Sequence, residues 1–81
     1  MIDDQKLEFL KEDIKNLIKL KRQSKQLSQK DLSNIIGISK GFLGLYERGQ
    51  TEMTVPNLLK IIYALDMVED LFILLKNAFE K

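Results

Sequence analysis

Few side chains in this chain of 81 residues could act on anything outside it. Cysteine and histidine are both absent, which removes the usual zinc, haem and thiol chemistries. Carboxylates stand as sequence neighbours, Asp3–Asp4, Glu12–Asp13 and Glu69–Asp70. On a helix such neighbours diverge, so none has the opposed placement that acid–base catalysis requires. They read as solvating residues and helix-start charges. No glycine-rich phosphate loop, nucleophile elbow or metal-ligand spacing occurs. The chain is therefore expected not to be an enzyme, and to need no cofactor and no metal. What remains is chemistry suited to anions, gathered in residues 29–48: Gln29, Lys30, Ser39, Lys40 and Arg48.

Two short helices broken by one turn would carry these residues. Leu32, Ile36, Ile38, Leu43 and Tyr46 are apolar at helical spacing on both sides of Gly37. Ser28 can cap the first helix, its hydroxyl accepting from backbone N–H groups that have no partner in the first turn. Gly37 falls just past the last periodic residue, where the chain must reverse and a positive φ costs glycine nothing. Ser39 offers a second cap two residues on. Two capped helices joined so tightly form a helix-turn-helix pattern, whose second helix can lie in a DNA major groove.

The rest of the chain would position this pair. Residues 4–25 read as one long helix, straight or bent, with Leu7, Leu10, Ile14, Leu17 and Ile18 as its apolar stripe. Asp3 or Asp4 suits its start, and Lys21, Arg22 and Lys25 suit its end. The spacing at 7, 10, 14 and 17 also fits a partner helix, the alternative to packing within the domain. After Gly49 and a loop, Thr54 and Pro56 mark a fourth helix start. Leu58, Leu59, Ile61, Ile62 and Leu65 would be its buried face. A last helix of about 68–81 carries Leu71, Phe72, Leu74, Leu75, Ala78 and Phe79 on one face, widened by Ile73. The expectation is an all-α fold of five helices, one domain over residues 1–81.

An apolar fraction of 44% argues for a folded chain and against disorder. The net charge of +1 hides a split. Residues 14–48 hold eight basic side chains against Asp31 and Glu47, a balance of +6, and the remainder hold five basic and ten acidic, a balance of −5. That split is an electrostatic footprint on one side of the molecule or an ordinary solvated helix face. No apolar run approaches the roughly 18 residues of a membrane span. The N-terminus is acidic where a signal peptide would be basic. A cytoplasmic protein is expected, with no membrane partner.

The run LSQKDLSNIIGISKGFLGLYERG resembles the lambda-repressor-like, Cro-type helix-turn-helix family, also called the xenobiotic-response-element (XRE) family. The likeness covers roughly residues 14–72. Leu27-Ser28-Gln29, Gly37-Ile38-Ser39 and Tyr46-Glu47-Arg48-Gly49 carry it. It implies a compact five-helix DNA-binding domain, usually dimeric on a pseudo-palindromic operator. By the same likeness Gln29 would clasp a phosphate, with Lys30 beside it. Ser39 and Lys40 would open the recognition helix, Gly41 and Leu45 would face base edges, and Arg48 would touch the DNA backbone. Arg22 and Glu47 would form a structural ion pair.

Some positions depart from the family. Ser33 stands where alanine is common and Gln26 where glycine is common. The recognition helix SKGFLGLYER offers few of the paired donors and acceptors that read base edges best. Gly41 and Gly44 give it no side chain, each costing about 1 kcal/mol relative to alanine. Phe42 and Leu45 could touch a thymine methyl, the backbone could approach closely and leave specificity to DNA shape, or the pair could belong to a protein-binding patch.

The last helix either closes the core over helices 1 and 4 or, as the family resemblance implies, makes a homodimer contact through Leu71, Leu74, Leu75, Ala78 and Phe79. The reading is a bacterial or phage transcriptional repressor, homodimeric, with double-stranded DNA as partner. The alternative is a DNA-binding antitoxin, suggested by the likeness of ALDMVEDLFILL to antitoxin ends, or a restriction–modification controller acting with a protein partner.

Overall fold

Local chemistry explains where the helices start. The computed structural model describes residues 3–80. Among them are five helices and no strand: α1 (Asp4–Ser24), α2 (Gln29–Ile36), α3 (Lys40–Glu47), α4 (Val55–Ala64) and α5 (Val68–Phe79). The first four each follow a capping side chain. The Asp3 carboxylate accepts from the Gln5 N–H at 2.9 Å, and the Ser39 hydroxyl accepts from the Phe42 N–H at 3.0 Å. Thr54 accepts from the Asn57 N–H, with Pro56 in the first turn where its missing donor is harmless. Only α5 begins without a side-chain cap.

One device ends the first four helices. Gln26, Gly37, Gly49 and Asp66 all take a positive φ, between 54° and 81°. In each case the next residue's N–H reaches back five positions to a helical carbonyl: Leu27 to Arg22, Ile38 to Ser33, Gln50 to Leu45, Met67 to Ile62. Three of those following residues, Leu27, Ile38 and Met67, then turn into or against the core.

The core is built from Ile18, Leu32, Ile36, Leu43, Tyr46 and the α4 side, Ile61, Ile62 and Leu65, with Met67 sealing the end. Helix α1 packs on α3 and α5, α2 on α3 and α4, and α4 on α5. Ser33 is buried at the α2 crossing and returns its hydroxyl proton to the Lys30 carbonyl at 2.9 Å. Lys21 ties α1 to α5 through Asp70 at 3.1 Å. Lys11 ties α1 to the loop before α4 through Glu52.

The helix boundaries and faces differ from expectation in four places. Helix α1 runs unbroken and closes at Lys25 rather than through it. Leu59 is 59% exposed, not part of α4's buried face. Residues 58, 61, 62 and 65 complete that face, and residue 59 lies about 60° beyond its edge. Leu7 is exposed at the outer end of the α1 stripe, whereas Leu10 is buried. Helix α5 stops at Phe79, with Glu80 closing it, and Lys81 lies outside the described residues.

Candidate nucleic-acid interface

Helix α3 is divided lengthwise. Leu43, Tyr46 and Glu47 are buried on one side, while Gly41, Leu45 and Arg48, spaced four and three apart, are exposed on the other. Lys40 is exposed in the first turn, and Phe42 is half-buried beside it. A Cβ built on Gly41 would meet nothing within 4 Å, so the backbone there lies open. Lys30 is exposed one position into α2, and Gln29 is half-buried at its start.

A reciprocal cap fixes that start of α2. The Ser28 hydroxyl accepts from the Asp31 N–H at 3.0 Å, and the Asp31 carboxylate accepts from the Ser28 N–H at 2.9 Å. The Ser28 backbone and then its hydroxyl hold the Asp31 carboxyl below its ordinary value.

Behind the exposed face of α3 lies a buried polar network. Arg22 donates to both Glu47 oxygens, Nε to Oε2 at 2.7 Å and Nη2 to Oε1 at 2.9 Å. Its Nη1 donates to the Leu27 carbonyl at 2.7 Å, so one guanidinium joins α1, the turn after it and α3. Gln29 Nε2 donates to Glu47 Oε1 at 3.0 Å. Burial opposes ionisation of Glu47, but the hydrogen bonds from Arg22 and Gln29, with the charges of Arg22 and Lys19, outweigh it and hold the carboxyl low. Burial, then the Glu47 charge, pushes the Tyr46 phenol up. No described buried side-chain polar atom lacks a partner.

The structure thus gathers Arg22 and Gln29 on Glu47, and it brings Gln29 and Arg48 together at one point of α3, Gly44. A Cβ there would lie 3.2 Å from Arg48 Nη1 and 3.4 Å from Gln29 Oε1. Neither the Gln29–Glu47 hydrogen bond nor the burial of Gly44 follows from sequence spacing. The one local signal is that Arg48 follows Gly44 by four residues, the separation at which helical side chains overlie one another. Of the residues considered for a dimer contact, Leu71 packs against the core, Leu74 and Ala78 line a groove between α1 and α5, Leu75 is half-buried, and Phe79 is exposed. Among the described residues there is no cluster of acidic, histidine or cysteine side chains able to hold a metal, and no helix long and apolar enough to cross a membrane.

Comparison with known families gives one result. A Helix-turn-helix family model of the XRE type matches residues 18–70, a span that begins in α1 and ends in the first turn of α5. The chain belongs to this lambda-repressor-like, Cro-type helix-turn-helix family, and it is a DNA-binding regulator. Neither the curated proteins nor the solved structures yield a match to it.

Proposed function

We propose that this protein is a transcriptional repressor that binds a palindromic operator as a homodimer in the bacterial cytoplasm, its residues 1–81 acting as one DNA-binding unit. The observation that carries the reading is the divided α3, with its exposed face following a serine-capped N-terminus and its buried face locked to α1. Lys40 and Arg48, with Gln29 and Lys30 at the start of α2, grip phosphates, helped by the backbone N–H groups of the two helix starts. Gly41, Phe42 and Leu45 face the base edges, where open backbone and apolar contact favour thymine methyls and groove shape over paired hydrogen bonds. Two copies one helical turn apart would occupy successive major grooves and exclude a polymerase.

Selection of duplexes from a random pool at two salt concentrations tests this. A palindromic motif with binding that falls steeply in salt is expected. Lys40→Ala should weaken binding to the selected duplex about three- to tenfold and lower the salt slope by about two, one phosphate contact per protomer. Unchanged affinity and slope would refute this orientation on DNA.

One observation favours a second reading, an antitoxin or controller that holds a protein partner. Val55, Leu59 and Tyr63 form an exposed apolar ridge along α4, with Tyr63 86% exposed. Salt-sensitive binding without any motif would shift the assignment to that reading.

A further inference from the structure

We infer that Gly44 is a positioning residue of the DNA interface: its missing side chain is the notch that holds Arg48 and Gln29 against the recognition helix. The inference rests on the DNA-binding reading of α3. An interior glycine weakens a helix of eight residues, so something must favour it there. Helical geometry does not, because Gly44 carries no positive φ. Close backbone packing does not either. The three nearest atoms to a Cβ at Gly44 are Arg48 Nη1, Gln29 Oε1 and Arg48 Cζ, all from side chains. Gly41, one turn earlier in the same helix, meets nothing at all. Two glycines in one helix therefore have different meanings.

The geometry follows from helix direction. Side chains lean toward a helix N-terminus, so Arg48, at the closing position of α3, lies back over residue 44. Gln29 reaches the same point from α2. Its amide nitrogen is committed to Glu47, which leaves its oxygen turned toward the notch. Glu47 is in turn fixed by Arg22. Gln29 therefore joins the buried ion pair to the same point of α3 over which the exposed Arg48 guanidinium lies. A guanidinium seated in this way loses less freedom when it grips a phosphate than one waving in solvent. A methyl group at 44 would push the Arg48 guanidinium a few tenths of an ångström off this position, at little cost to the fold.

A double-mutant cycle tests the notch, using purified full-length protein and the duplex selected by the wild type. Gly44→Ala should leave the melting temperature unchanged or raised. It should weaken duplex binding about three- to tenfold in the wild-type background and by less than about twofold in the Arg48→Ala background, the signature of two residues acting through one another. Equal losses in both backgrounds, or unchanged affinity in the first, would overturn the inference. The Arg48 Nε–H resonance of the DNA-free protein gives a separate readout: it should shift and sharpen in Gly44→Ala. An unaltered resonance would overturn the notch on its own, whereas failure of the wild type to bind any duplex would overturn the DNA-binding reading.

Discussion

At the scale of single residues, the buried pair of Arg22 and Glu47 governs how the molecule responds to acid. Each is almost fully shielded from solvent, and every oxygen of Glu47 is occupied. Removing one partner strands the other charge, so Glu47→Ala should cost about 3 kcal/mol near neutral pH. The folded Glu47 carboxyl binds its proton less readily than the ordinary value of 4.5. The unfolded chain therefore takes up more protons in the acid range, and stability rises with pH there. The pair's contribution is complete above the unfolded value and is lost as pH falls through the lower, folded one. Urea unfolding followed by circular dichroism from pH 6 down to 3 should show the gap between wild type and Glu47→Ala closing on acidification. A gap independent of pH would show that Glu47 acts through packing alone. Ser28 and Ser39 are legible in the sequence at this scale, because a hydroxyl just before an apolar-periodic run is local chemistry. The hydrogen bond from Gln29 to Glu47 is not, because 18 positions separate the two and only the fold joins them.

At the scale of elements, the turns show what each helix end demands. Four left-handed closures serve the chain, yet glycine fills only two, Gly37 and Gly49. Asp66 tolerates that conformation through its short polar side chain, but Gln26 has no such help. Gln26→Gly should therefore stabilise the fold by up to about 1 kcal/mol, less whatever the freer unfolded chain takes back. A thermal melt that fell instead would mean that the Gln26 side chain makes a compensating contact. The five helices themselves were readable because their apolar residues repeat with helical period and the starts of the first four carry caps. What periodicity could not settle was the edge of each face. Leu59 lies one position outside the α4 face, and Met67, fully buried between helices, belongs to no periodic run. Nor could it find the end of α5, where no glycine or proline marks a stop.

At the scale of the molecule, α5 is the element the core leaves incomplete. None of its residues is fully buried, and Phe72, Ile73 and Phe79 are exposed, Phe72 to 65%. Phe9 of α1 is exposed nearby and borders the groove that Leu74 and Ala78 line. The proposed homodimer would bury the side of α5 that carries Leu74, Leu75, Ala78 and Phe79, with the exposed Phe79 contributing more than the already packed Leu71. Phe79→Lys should leave the helical circular dichroism unchanged, since the side chain is 58% exposed in one protomer, yet abolish self-association in sedimentation at tens of micromolar. Identical sedimentation of variant and wild type would remove α5 from the contact. In that dimer α1 would also serve as a gauge. Its 21 residues span about 31 Å, with the α5 groove against its outer half and the guanidinium that grips α3 at the other end. The distance between the two recognition helices would then be set by two such rods, one from each protomer. Changes of operator spacing would require changes in α1, while changes of the bases read could proceed on α3 alone.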